Sequence, residues 1–207
     1  METLFIEAKY TKPIKLNKDI AGKLPSKLGL VSSIQFIDSL PIIKKSLKMK
    51  KIIIGGQILG CNVKNAEKIK NKVDAFLYIG DGMFHPLGIA VKTKKPVFIF
   101  NPLNNHFSKI KKQDIENYEK RKKAALVKFL HAENVGILVS TKPGQYYALK
   151  ELESLENKYK NKKFYTFIAD TIDYKQLENF PFIEAWVNTA CPRIEEDIKV
   201  INVEEIK

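Results

Sequence analysis

The chain is poor in the residues that most often reveal chemistry. Its 207 residues include two cysteines, Cys61 and Cys191, and one tryptophan. Two cysteines cannot build the disulfide framework of a small secreted domain. No Cys-x-x-Cys pair occurs, which argues against an ordinary zinc knuckle. Arginine is nearly missing: only Arg121 and Arg193 stand among 36 basic residues. Guanine is read mostly by arginine, so direct nucleic-acid binding is not expected. No apolar run approaches the ~20 residues that cross a bilayer, and no membrane partner is expected. The start, Met1-Glu2-Thr3-Leu4-Phe5, lacks the basic and apolar regions of a signal peptide. The expected location is cytoplasmic, where two cysteines are reduced thiols or metal ligands rather than a disulfide.

Lysine is what the chain has in plenty. Net charge is +13, with 23 acidic residues against the basic ones. Such a surface favours acidic partners. A lysine-rich or heat-adapted surface explains the same number without any partner. Hydrophobic residues make up 44%, which suits one large soluble domain or two small ones.

Apolar runs rich in Val, Ile and Phe alternate with amphipathic segments. That is the pattern of βα units around a mainly parallel sheet. Strands are expected at Leu4–Ala8, Leu28–Ser32, Lys51–Ile54, Ala75–Ile79, Pro96–Phe100, Val135–Val139, Phe164–Ile168, Ala185–Val187 and Val200–Val203. Helices are expected near Gln35–Lys48, Val63–Lys72, Lys111–His131, Gln145–Tyr159 and Tyr174–Glu178. A short self-similarity runs through this pattern. Leu28-Gly29-Leu30-Val31-Ser32-Ser33 resembles Val135-Gly136-Ile137-Leu138-Val139-Ser140. The expected fold class is α/β, with two similar domains of mainly parallel sheets flanked by helices. The expected division is 1–25 as an N-terminal strand and connector, 26–110 with Cys61, and 111–207 with Cys191. Each repeat runs on to an apolar strand ending near its cysteine.

Ligands of open α/β sheets sit at loops beyond the carboxyl ends of strands, so these loops hold the candidates. Gly55-Gly56-Gln57-Ile58-Leu59-Gly60-Cys61 allows close backbone approach. It is neither a phosphate-binding P-loop nor a Gly-x-Gly-x-x-Gly fingerprint. Gly80-Asp81-Gly82-Met83-Phe84-His85 places a carboxylate and an imidazole after a strand. Asp81 could hold ribose hydroxyls and His85 could donate to a bound group; an Asp-Gly turn with a capping histidine reads equally well. Ser140-Thr141-Lys142-Pro143-Gly144-Gln145 ends a strand where a helix is expected to begin. Amides there bind carboxylate or phosphate, and plain N-capping is the competing reading. Asn188-Thr189-Ala190-Cys191-Pro192-Arg193 sets a thiol beside a guanidinium, which favours thiolate. A buried free cysteine is the alternative.

Four segments in this order carry a resemblance: Gly56–Cys61, Gly80–Leu87, Val139–Gln145 and Trp186–Arg193. Together they resemble the diphthamide-biosynthesis 3-amino-3-carboxypropyltransferases of archaea and eukaryotes. The last, Trp-Val-Asn-Thr-Ala-Cys-Pro-Arg, is the most specific. The resemblance implies an enzyme that uses a 4Fe-4S cluster to cleave S-adenosylmethionine. It then transfers the 3-amino-3-carboxypropyl group to a histidine of translation elongation factor 2. Family members have three similar domains, each giving one cysteine to the cluster. On that pattern Cys61 and Cys191 match the ligands of the second and third domains, and the first domain is missing. The resemblance also implies cofactor contacts from Ser140, Gln145 and Arg193, with Asp81 and His85 nearby. A separate first-domain chain, or a second copy of a family subunit, would supply the third cysteine. The alternatives are a non-catalytic binding subunit of that system and an iron-independent adenosine-cofactor-binding protein.

Overall fold

The computed structural model describes residue 4 and residues 6–47, 51–59, 62–145, 149–196 and 198–206. The chain forms two compact units, Met1–Glu116 and Asn117–Lys207. The first runs α1 (Lys18–Lys23), β1 (Lys27–Ser32), α2 (Leu40–Ser46), β2 (Lys51–Gln57), α3 (Lys64–Glu67), β3 (Ala75–Ile79), α4 (Phe84–Thr93), β4 (Val97–Asn101) and β5 (His106–Lys109). The long helix α5 (Lys112–His131) leads into the second unit. There follow β6 (Asn134–Ser140), α6 (Leu149–Lys158), β7 (Lys163–Ala169), β8 (Ala185–Asn188) and β9 (Ile201–Asn202).

The sheet of the first unit has the order β2-β1-β3-β4-β5, and that of the second β7-β6-β8-β9. All pairings are parallel except β4 with β5. The two orders superpose when β6 is matched to β1, β7 to β2, β8 to β3 and β9 to β4. Gly29 and Gly136 then fall at one position of the repeat. Central strands are apolar without alternation because both faces are covered: β3 is buried at all five residues. One core gathers Leu28, Leu30, Phe36, Ile43, Leu77 and Phe100. A core of the second unit gathers Phe129, Val135, Ile137, Leu155, Val187 and Ile201.

Several expectations are corrected. Residues 4 and 6–8 form no strand, and Leu4 and Ile6 are exposed; a strand needs a neighbour to pair with. The stretch to Pro25 is more than a connector, since it holds α1 and buries Ile14, Ile20 and Leu24 in the first core. Gly55, Gly56 and Gln57 belong to β2, not to a loop. The register steps from Leu30↔Ile54 to Val31↔Gly56, so Gly55 is the extra residue of a bulge. A Cβ at Gly55 would lie 2.8 Å from Val31, which explains glycine there. Residues 84–93 are helical rather than loop. Pro86 sits in the first turn of α4, where its missing N–H costs nothing, and Leu87, Ile89, Ala90 and Thr93 are buried. Gln145 lies in an exposed turn; α6 is described over Leu149–Lys158, and residues 146–148 of the helix expected from Gln145 lie outside the described residues.

Candidate functional site

Each unit gathers polar side chains at the carboxyl edge of its sheet. In the first, Asp81 follows β3 and accepts a hydrogen bond from Asn101 Nδ2 at the end of β4, 2.7 Å away. Asn101 Oδ1 in turn accepts from the Leu103 N–H at 2.9 Å. His85, in the first turn of α4, is half-buried and stacks on Tyr78, with ring centroids 5.7 Å apart and an interplanar angle of 11°. Burial pushes the Tyr78 phenol up to about 12, against a hydrogen bond with Ser33 that lowers it. The phenol therefore stays neutral and polar at the sheet edge. Asp81, His85 and Asn101 thus share one edge.

In the second unit, Ser140 ends β6 and is buried. Its hydroxyl donates to the Asp170 carbonyl at 3.2 Å and accepts from the Lys142 N–H at 3.2 Å. The single hydroxyl proton is therefore committed to shaping the turn. Gln145 is exposed, with its N–H donating to the Lys142 carbonyl at 3.0 Å. Cys191 follows β8, which pairs with β6. Cys191 is partly buried, and Arg193 lies on the surface of the next turn, Pro192–Glu196.

What holds Cys191 is Asn188, a residue to which the sequence alone assigns no role. Asn188 is 1% exposed. Its Oδ1 accepts the Ala190 N–H at 3.0 Å, and its Nδ2 donates to the Cys191 carbonyl at 3.0 Å and to Asn202 Oδ1 at 2.7 Å. Asn202 Nδ2 donates to Glu195 Oε2 at 2.6 Å. Thr189 ties the same turn to β6 through two bonds to the Leu138 carbonyl, from its hydroxyl at 2.8 Å and its N–H at 3.0 Å. Two adjacent polar residues at the end of an apolar strand were the available signal.

Cys61 lies outside the described residues. In sequence it follows β2, whereas Cys191 follows β8, the counterpart of β3. The strands that the two cysteines follow in sequence are therefore not counterparts in the repeat, and the repeat alone does not relate the two residues. Among the described residues no three His, Cys, Asp or Glu side chains are grouped to hold a metal. Also among these, no helix is long and apolar enough to cross a membrane.

Repeated α/β units with parallel sheets, one carrying a clamped thiol at its strand-end edge, define the class as a doubly wound α/β protein with a cysteine-bearing site. The particular family follows from comparison with known proteins. The chain belongs to the diphthamide synthesis protein family, whose profile matches residues 1–199. It is 32% identical over 206 residues to the 2-(3-amino-3-carboxypropyl)histidine synthase of Pyrococcus horikoshii, covering 93% of this chain and 58% of that protein. It is 31% identical over 190 residues to subunit 1 of that synthase from Schizosaccharomyces pombe, covering 83% of this chain and 43% of the other. The crystal structure of Dph2 from Pyrococcus horikoshii with a 4Fe-4S cluster matches with a TM-score of 0.76 at 30% identity, over 91% of this chain and 58% of that one. The chain thus spans less than two thirds of these relatives.

Proposed function

We propose that the chain is part of a split 3-amino-3-carboxypropyltransferase of the cytoplasm. It would modify a histidine of translation elongation factor 2, using a 4Fe-4S cluster and S-adenosylmethionine, in the first step of diphthamide biosynthesis. Its similarity to synthases of 2-(3-amino-3-carboxypropyl)histidine across 93% of its length carries this reading.

The donor set fits the cluster in part. Clusters of this type are held by cysteine thiolates, and the chain offers Cys61 and Cys191. Cys191 is suited to the task because Asn188 and Thr189 fix the backbone on both sides of the turn that bears it. A third thiolate would come from a separate chain or a second family subunit. When bound, the cluster supplies the electron for cleaving a carbon–sulfur bond of S-adenosylmethionine. The chain's own residues orient that cofactor. Arg193 offers a forked contact to its carboxylate, Gln145 an amide, and Ser140 holds the turn that leads to Gln145. Asp81 and His85 are assigned to the wider pocket. Fixing the amino-acid end selects which carbon is delivered.

The test is anaerobic purification of the chain alone and with a candidate first-domain chain, followed by iron counting and transfer to elongation factor 2. Iron and turnover are expected only in the complex, and loss of iron from it on Cys61→Ala or Cys191→Ala. Full loading and turnover by the chain alone would overturn the split reading. Iron-free complexes that still bind the elongation factor would point to a non-catalytic subunit.

A further inference from the structure

The turn that bears Cys191 is tied to buried amides that the sheet itself does not require. The two units allow a direct comparison. Trp186 and Phe76 pair with the matched glycines Gly136 and Gly29, so Asn188 stands where the first unit has Tyr78. Asn188 pairs with Asn202 on β9, and Tyr78 pairs with Ile99 on β4. Asn202 therefore stands where the first unit has Ile99. The two asparagines are buried, at 1% and 6% exposure. Burying an amide costs free energy unless its hydrogen bonds are made. The first unit, with no cysteine directly after β3, builds the same sheet without either one.

The bonds of this network run in one sense. A carboxylate accepts and cannot donate, whereas an amide has one donor end and one acceptor end. Glu195 Oε2 accepts from Asn202 Nδ2 at 2.6 Å, which leaves Asn202 Oδ1 to accept from Asn188 Nδ2 at 2.7 Å. The same Nδ2 also donates to the Cys191 carbonyl at 3.0 Å, and Asn188 Oδ1 accepts the Ala190 N–H at 3.0 Å. Reversing one amide would set oxygen against oxygen or N–H against N–H. Glu195 is thus the end of the series that fixes its direction. Burial raises the pKa of Glu195, as does Glu205, while Lys122, the Tyr118 hydroxyl and Arg121, all on α5, act to keep it charged.

We infer that Glu195 and Asn202 are positioning residues for the Cys191 thiolate, acting through Asn188. The carboxylate orients two amides in series, and the second fixes the backbone of Ala190 and Cys191. This rests on the proposed role of Cys191 as a cluster ligand. Groups that hold a metal ligand in place are typically worth about 10–100-fold in metal affinity or activity.

The test uses the full chain, labelled with ¹⁵N and free of iron. Hydrogen exchange is followed at the Ala190 N–H, with the amides of Val135, Ile137 and Val139 as a control on the whole unit. Glu195→Met leaves Asn202 with no acceptor to orient it. Ala190 exchange should then rise about tenfold or more, with the β6 amides unchanged. Glu195→Gln still offers an acceptor and should stay near the parent rate. Glu195→Lys presents a donor, turns the Asn202 amide round and should loosen Ala190 as well. Adding Asn202→Asp to it restores an acceptor to Asn188 and should bring the rate back. Alkylation of Cys191 by iodoacetamide, counted by mass spectrometry on its own peptide, should follow the same order. Unchanged exchange in Glu195→Met, a lysine effect that Asn202→Asp does not reverse, or an equal rise along β6 would each overturn the assignment. Iron counting in the assembled complex separates the two readings. Full iron with Cys191→Ala would sink the ligand role of the thiol, whereas iron lost there with flat Ala190 exchange would sink the positioning role alone.

Discussion

Gly136 on β6 lies directly across from Trp186 on β8, and any side chain at 136 would collide with the indole. The first unit repeats the relationship. Gly29 on β1 pairs with Phe76 on β3, and a Cβ there would come within 2.7 Å of the phenyl ring. Each unit seats a large aromatic over a central strand by removing the side chain beneath it.

Gly136→Ala should therefore destabilise the second unit by about 1–3 kcal/mol, the usual cost of overpacking a core. Combining it with Trp186→Leu should recover part of that loss, because the two positions are in contact. Urea unfolding followed by circular dichroism on all four members of the cycle checks this. Strictly additive losses would show that the glycine serves another purpose.

Asn188→Asp tests the clamp on Cys191. A carboxylate has the same shape but cannot donate to the Cys191 carbonyl or to Asn202 Oδ1. Leaving such buried acceptors without a donor costs about 1–3 kcal/mol. With Cys61→Ser as background, alkylation of Cys191 by iodoacetamide should run faster in this variant than in its parent, at a temperature where both are folded. Equal rates would mean that Asn188 does not govern the thiol.

Glu195 gives a pH signature. Burial raises its pKa, opposed by Lys122, which lowers it. The folded chain then holds this proton more tightly than the unfolded chain. Its contribution to stability is present below the ordinary carboxylate value, about pH 4.3, and is lost as pH rises through the folded value. Glu195→Gln keeps an acceptor for Asn202 and removes the titration. Melting temperature plotted against pH should fall less steeply for the variant over that window; parallel curves would contradict the assignment.

Arg193→Ala and Gln145→Ala probe the proposed cofactor end. In the assembled, iron-loaded complex both should weaken S-adenosylmethionine binding, the arginine change more, since charge-assisted bonds are roughly twice as strong as neutral ones. Equilibrium dialysis with labelled cofactor measures it. Unchanged affinity in both would remove these residues from the site.

Strands buried on both faces were readable because their apolar runs have no competing interpretation. Ala75–Ile79 is an example, found at the expected bounds. Strand β5 was not readable. His106–Lys109 is a short edge strand with no fully buried residue, and its pairing depends on the antiparallel return from β4. Helix α4 was hidden by glycines and a proline at its start. Its helical state is settled by burial of Leu87, Ile89 and Ala90 against the sheet.

The sequence by itself determined the α/β class, the duplication and the strand ends beside which Asp81, Ser140 and Cys191 lie. These follow from local patterns: period, apolar runs and the residues at strand ends. Tertiary structure decided that β2 and β8, the strands that the two cysteines follow in sequence, are not counterparts, and that Asn188 holds the Cys191 backbone. Those outcomes depend on which strands become neighbours. Strand order brings Asn188 beside Asn202 and Gly136 beside Trp186, residues 14 and 50 positions apart. No local pattern encodes that juxtaposition, because it arises only when the separate apolar runs share one core.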